Sequence, residues 1–250
     1  MRVAVVTGGG TGIGALVAKR LAERGARVFV AGRRLDPLKE VAGSICAAGG
    51  HATAVRCDVT RPEEVAALAT EVGHADIVVN NAGVAKSAPI TKMDDAHWHE
   101  AIAVNLTGTF LVTRAFIGGM TDRGWGRVVN VASVAGKIGF KYTAAYSAAK
   151  HGVLGFTRSV ALEVAHKGVT VNAVCPGWVE TDMSDAAIGN IVAKTKMTPE
   201  QAMRTLADQS PQKRLMTAEE VAALVEFLCS DDAANLTAQA INLDGGMLQS

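Results

Sequence analysis

Apolar residues along this chain follow two different spacings. Short runs rich in β-branched residues read as buried strands: Val3–Thr7, Val28–Gly32, Thr53–Asp58, Ile77–Asn80, Val128–Ala132, Thr170–Cys175 and Ala240–Leu243. Between them apolar positions recur every three or four residues. Ile13, Leu16, Val17 and Leu21 form one such stripe, and Val221, Leu224, Val225 and Leu228 form another, which is the signature of helices with one core-facing side. This alternation predicts an α/β fold class, a doubly wound seven-stranded parallel sheet with helices on both faces, filling residues 1–250 as one domain. Two helical stretches, about Asp94 to Asp122 and Tyr142 to His166, carry more apolar surface than one sheet face covers, so a homo-oligomer is expected. The alternation fails over about 180–213, where Met, Ile, Lys and Asp mix without a strand. That region is expected to be either a helical lid over a site or an insertion that only packs.

Composition narrows the chemistry. With 49% hydrophobic residues the chain can bury one substantial core. Its net charge of +1, without a polybasic run, argues against nucleic-acid and membrane surfaces and for a small-molecule partner. The first apolar run starts at Val3 with no basic segment ahead of it and is broken by Gly8, Gly9 and Gly10, so a cytoplasmic location is expected. Cys46, Cys57, Cys175 and Cys229 lie far apart and are read as buried small apolar residues. His97 and His99 flank Trp98 without a third ligand nearby, and no metal site is expected.

The first strand runs straight into Gly8-Gly9-Gly10-Thr11-Gly12-Ile13-Gly14 and then a helix. Glycines let a backbone turn tightly and approach a pyrophosphate, whose charge then meets the free N–H groups of the helix start. Gly8, Thr11, Gly12 and Ile13 are therefore candidate dinucleotide-binding residues. After the second strand stands Gly32-Arg33-Arg34, with no carboxylate before Asp36. A guanidinium from Arg33 binds a ribose 2′-phosphate that a carboxylate would repel, so NADP(H) is expected over NAD(H); the alternative is a solvated basic turn. Asp58 with Val59 closes the third strand, either as an adenine contact or as a helix N-cap beside Thr60. Asn80-Asn81-Ala82-Gly83 closes the fourth; Asn80 is placed to bridge strands, and Ala82 and Gly83 to admit close backbone approach, unless the segment is a plain turn.

Tyr146 and Lys150 are four residues apart on an expected helix, so both side chains leave one face. A neighbouring ammonium is expected to lower the phenol's pKa and equip Tyr146 for proton transfer with a carbonyl/alcohol pair. Ser133 ends the fifth strand, where ligand crevices of parallel sheets open, and its hydroxyl can polarise the same oxygen. Asn105 interrupts the apolar stretch Ala101–Leu111, where a polar side chain must bond something; a water relaying protons from Lys150 is one candidate.

Taken together, Thr7-Gly8-x-x-x-Gly12-x-Gly14, Asn80-Asn81-Ala82-Gly83, Asn105, Ser133, Tyr146-x-x-x-Lys150 and Cys175-Pro176-Gly177 resemble the short-chain dehydrogenase/reductases over essentially the whole chain. The resemblance implies a Rossmann-like fold and an NAD(P)-dependent oxidoreductase acting on CH–OH/C=O. It implies a tetramer built on the two long helices and a tetrad of Asn105, Ser133, Tyr146 and Lys150. It also implies that Lys150 bonds the nicotinamide ribose and that Pro176, Gly177, Val179 and Thr181 touch the nicotinamide end. Thr11 departs from members that carry a basic residue there.

The stretches Tyr146–Val153 and Val171–Gly177 are most similar to 3-oxoacyl-thioester reductases and aromatic polyketide ketoreductases. A 3-oxoacyl thioester is the expected substrate, with secondary alcohols or aryl ketones as the alternative. A non-catalytic NADP-binding sensor is a minor alternative, weakened because all four tetrad positions are filled. Val134, Ile138, Phe140, Trp178, Met183, Ile188 and Met197 are expected to give an apolar pocket, with Lys194, Lys196 and Arg204 attracting phosphates or an acidic carrier surface.

Overall fold

In the computed structural model, which describes residues 1–249, strands and helices alternate: β1 (Val3–Thr7), α1 (Gly12–Glu23), β2 (Arg27–Gly32), α2 (Leu35–Ala47), β3 (His51–Arg56), α3 (Pro62–Val72) and β4 (Ile77–Asn80). The second half continues through α4 (Asp95–Ile102), α5 (Gly108–Arg123), β5 (Gly126–Val131), α6 (Ala144–Val164), β6 (Val169–Pro176), α7 (Asp182–Lys194), α8 (Pro199–Ala207), α9 (Ala218–Leu228) and β7 (Ala240–Leu243). The sheet is entirely parallel, in the order β3-β2-β1-β4-β5-β6-β7. This is the Rossmann-like architecture expected from the sequence.

Helices cover both faces, which is why β1 and β6 are buried along their whole length; β1 reads as an apolar run, whereas β6 also buries the polar Thr170 and Asn172. On one face Val17, Leu21, Leu38, Ile45, Val221 and Leu228 pack from α1, α2 and α9. On the other, Leu68, Val112, Phe116, Met120, Ala161 and Val164 pack from α3, α5 and α6. Each such side chain contributes roughly 1.5–3 kcal/mol on burial, so the sheet is a rigid platform for the residues at its strand ends.

Four expectations need correction. The stretch from Asp94 to Asp122 is broken by a π-helical segment, Ala103–Thr107, between α4 and α5. The side chain of Asn105 there is committed to the neighbouring loop, and a π-bulge is how a helix turns one residue out of register. The helix expected from Tyr142 begins at Ala144, because Tyr142 takes a left-handed backbone conformation with φ of 70°. Cys46 is exposed, because Ile45 holds the core-facing position on α2; the other three cysteines are buried. Asp58 does not cap a helix: α3 starts at Pro62 with Arg61 as its N-cap.

Candidate active site

Between β1 and β4 the order of strands reverses, so the segments leaving their C-terminal ends diverge and open a crevice. A cleft of about 450 Å³ lies there. One end is lined by Gly8, Thr11, Gly12, Ile13 and Arg34, the middle by Asn81, Ala82 and Gly83, and the other end by Asn105, Ser133, Tyr146, Lys150, Pro176, Gly177, Val179 and Thr181.

The glycine loop is shaped by contacts that leave no room for side chains. A Cβ on Gly14 would stand 2.3 Å from the Gly8 carbonyl oxygen and 2.4 Å from Asn81 Nδ2. Gly8 and Gly12 adopt φ of 64° and 52°, a region that side chains disfavour. Asn81 locks the loop from the neighbouring strand end, donating through Nδ2 to the carbonyls of Thr7 and Gly8 at 3.1 Å each. Thr7 Oγ1 accepts the Asn81 and Ala82 N–H groups, also at 3.1 Å. No side chain caps α1, as is also the case for α2 and α3, but α1 alone of the three starts from the glycine loop on the cleft wall. The first N–H groups of α1 thus face a cleft walled by glycine, an arrangement that fits a pyrophosphate.

At the opposite end α6 presents Tyr146 and Lys150 one turn apart, with Lys150 Nζ 5.6 Å from the Tyr146 ring centroid. Lys150 donates to the Val131 carbonyl at 2.7 Å, and burial pulls its ammonium down to about 8 from an ordinary 10.5. Burial pushes the Tyr146 phenol up, opposed in part by the facing Ser133 hydroxyl. The direction is opposite to the lowering expected from Lys150: loss of water around a phenolate dominates, and the group opposing it is the Ser133 hydroxyl, not the Lys150 ammonium. Ser133 Oγ accepts the Ala135 N–H at 3.1 Å, fixing the hydroxyl at the head of a short 3₁₀ turn, Val134–Gly136. Asn105 is fully buried; its Oδ1 accepts from Val84 N–H at 3.2 Å, and its Nδ2 donates to the Val84 and Ala101 carbonyls at 2.9 Å. Its polar side chain is thus satisfied by backbone, leaving the relay water without a required place on the side chain.

Four candidate cofactor residues lie off the cleft wall. Asn80 is buried and donates to Thr113 Oγ1 at 2.9 Å and Asn130 Oδ1 at 2.8 Å, bridging β4 to β5 and α5. Val59 is buried against Gly108. Asp58 accepts the Thr60 N–H and hydroxyl at 3.0 and 2.8 Å. Partial burial works against its carboxylate, but the Thr60 bonds and the Arg33 and Arg61 guanidiniums outweigh this and hold it below its ordinary value. Arg33 is exposed, and its neighbour Arg34 lines the cleft instead. Sequence reasoning passed over Arg34, Asn81 and Lys86 as site residues. Arg34 and Asn81 lay inside motifs already singled out, whereas Lys86 carried no signal beyond following Gly83 closely.

Of the expected apolar pocket, Val134, Phe140, Trp178 and Met183 line the cleft; Ile138, Ile188 and Met197 do not. Lys194, Lys196 and Arg204 are exposed and off its wall.

A family model described as short chain dehydrogenase matches residues 2–221. The putative ketoacyl reductase 1 of the granaticin polyketide synthase of Streptomyces violaceoruber is 40% identical, over 98% of this chain and 92% of that protein. A 3-oxoacyl-[acyl-carrier-protein] reductase of Vibrio cholerae is 39% identical, over 98% and 97% of the two chains. Among solved structures, a variant of the actinorhodin polyketide ketoreductase with NADPH superposes with a TM-score of 0.95 at 41% identity, covering 98% of this chain and 97% of that one.

Proposed function

This chain belongs to the short-chain dehydrogenase family, and on that premise we propose that it is an NADP(H)-dependent ketoreductase that converts a 3-oxoacyl thioester to the 3-hydroxyacyl thioester. One observation carries the reading. Ser133, Tyr146, Lys150 and Asn105 line the same cleft as the uncapped start of α1, so a dinucleotide seated on Gly8, Thr11, Gly12 and Ile13 reaches them.

Within that cleft the nicotinamide, when bound, supplies the hydride. The chain's own residues handle the oxygen. Ser133 donates to the carbonyl oxygen and Tyr146 delivers the proton as negative charge develops there. The upward push on the Tyr146 phenol keeps it protonated at neutral pH, the form that reduction needs. Lys150 spends one N–H on Val131 and has two left, for the nicotinamide ribose and for the charge forming beside Tyr146. Asn105 holds the Val84 backbone, and with it the loop following Gly83, against the π-helical turn. Pro176, Gly177, Val179 and Thr181 would close around the nicotinamide end.

Arg34 on the wall, with Arg33 nearby offsetting the charge of Asp58, supports preference for NADP(H) over NAD(H), since the wall around Arg34 itself carries a guanidinium and no carboxylate. Helices α7 and α8 fill the region expected to be a lid, and α7 contributes Asp182, Met183, Ser184, Ala187 and Asn190 to the cleft. We read them as the substrate cover of a cytoplasmic homotetramer. The aromatic wall of Phe140 and Trp178 favours a second reading, reduction of aryl ketones.

Oxidation of NADPH with acetoacetyl-CoA, ethyl acetoacetate or acetophenone separates the two. We expect turnover of acetoacetyl-CoA, reduced about 10²–10⁴-fold in Tyr146→Phe. Turnover of acetophenone alone would remove the thioester reading, and full activity in the phenylalanine variant would remove the proton transfer.

A further inference from the structure

Lys86 plays no part in the chemistry just described; its side chain is 61% exposed at the rim of the cleft, and the backbone on either side of it is held by hydrogen bonds. The segment carrying it is pinned on both sides. Val84 is held by two hydrogen bonds to Asn105, and the Ala88 N–H donates to the Tyr142 carbonyl at 2.8 Å. Tyr142 meets that bond with φ of 70°, a conformation that a bulky residue keeps only where its surroundings impose it.

Between the two pins Ala85, Lys86 and Ser87 all line the cleft. Their three successive N–H groups donate to no protein acceptor among the described residues. The Lys86 ammonium reaches Glu100 Oε2 at 2.5 Å. Glu100 is not on the cleft wall but in a side recess of about 280 Å³, together with Lys92, Asp94 and His97. Lys86 is the residue common to both spaces. The carboxylate thus backs the ammonium, restricts the long side chain and leaves two of its three N–H donors unspent. Of the other charged side chains lining the cleft, Arg34 stands at the nucleotide end and Lys150 beside Tyr146, which leaves Asp182 as the one carboxylate.

We propose that Lys86 is a specificity-determining residue that binds an anionic oxygen group, a carboxylate or a phosphate, on the non-reacting end of the substrate. An ammonium backed by a carboxylate, next to three backbone N–H groups without a protein acceptor, offers charge-assisted donors that an anion uses more fully than a neutral group does. The inference rests on the reading that the ketone is reduced at Tyr146, and it adds what the rest of the substrate must carry.

The test is selectivity rather than rate. kcat/KM is measured for acetoacetate, which bears a carboxylate, for acetoacetyl-CoA, which bears phosphates, and for neutral ethyl acetoacetate. Each anionic value is divided by the neutral one. In Lys86→Met at least one ratio falls about five- to tenfold, the size of a charge-assisted contact discounted for its exposure. Lys86→Arg restores most of it, and the ratio that falls identifies carboxylate or phosphate as the group. Unchanged ratios, or an equal loss on the neutral ester, overturn the proposal. If the wild type reduces none of the three, the ketoreductase reading itself is what fails. Calorimetric titration of acetoacetate and of coenzyme A into the NADPH-loaded protein then decides the point: binding weakened five- to tenfold in Lys86→Met supports the anion site, and equal binding removes it.

Discussion

Lys150 gives its ammonium to the carbonyl of Val131 at 2.7 Å, inside a cleft wall where it is only 5% exposed. A neutral acceptor does not compensate a buried charge, and the ammonium is accordingly held at about 8 instead of 10.5. The unfolded chain releases this proton near 10.4. Between about pH 8 and 10.5 it therefore binds a proton that the folded chain lacks, and folded stability rises with pH across that window. Below 8 the full cost is present, on the order of 3 kcal/mol. Lys150→Met removes it and loses a hydrogen bond worth about 1 kcal/mol. We expect this inactive variant to be more stable than the wild type by about 1–3 kcal/mol at pH 7, with the gap closing toward pH 10. Urea unfolding at both pH values measures it, and a gap that does not depend on pH would show that the ammonium is not the cause.

Gly12 and Gly14 serve different ends, and alanine substitution separates them. At Gly14 the added methyl meets a backbone oxygen at 2.3 Å, so the loop must move; a loss of about 2–3 kcal/mol in stability and at least a tenfold loss in NADPH affinity are expected. At Gly12 the nearest atom is Thr181 Cγ2 at 3.4 Å, and the cost is the left-handed conformation alone, roughly 1–2 kcal/mol. Thermal unfolding paired with NADPH fluorescence titration reads both. Equal effects at the two positions would contradict this division.

How much of this was legible beforehand depended on whether a feature is local. Strand β1 showed as an apolar run because both of its faces are buried, and Tyr146 with Lys150 showed because four residues make one helical turn. The break at Ala103–Thr107 contains no glycine or proline and arises from bonds between Asn105 and Val84, a contact 21 residues apart. The upward push on Tyr146 is a matter of burial, which no spacing reveals. Which of two adjacent arginines meets the cleft depends on how the backbone turns into α2, where Arg34 is the N-cap.

That last difference makes a prediction about the cofactor. Arg34 lines the cleft while Arg33 stands near Asp58, so Arg34→Ala is expected to weaken NADPH binding about tenfold, as loss of one charge-assisted contact does. Arg33→Ala is expected to weaken it less, and neither to alter NADH binding by more than about twofold. Fluorescence titration with both dinucleotides compares them. Parallel losses for NADPH and NADH would place the 2′-phosphate contact elsewhere.

Exposed apolar residues on the long helices call for a partner. Leu162 on α6 is 75% exposed and Phe110 on α5 38%, the latter set edge-on to Phe156 with ring centroids 6.3 Å apart. The run Asp95–Arg123 is apolar enough to cross a membrane, yet only 44% of its most apolar window is buried within one chain. Leaving such surfaces in water is unfavourable, and copies of one chain related by two-fold symmetry cover each other's helices without adding another protein. We therefore expect light scattering to give about four times the 25.9 kDa chain mass in detergent-free buffer. Phe110→Glu combined with Leu162→Glu places carboxylates in that contact, where desolvation is costly, and is expected to yield dimers or monomers. Because neither residue lines the cleft, NADPH binding serves as the check that the dissociated chain is still folded. A double variant that remains tetrameric would show that the assembly uses another face.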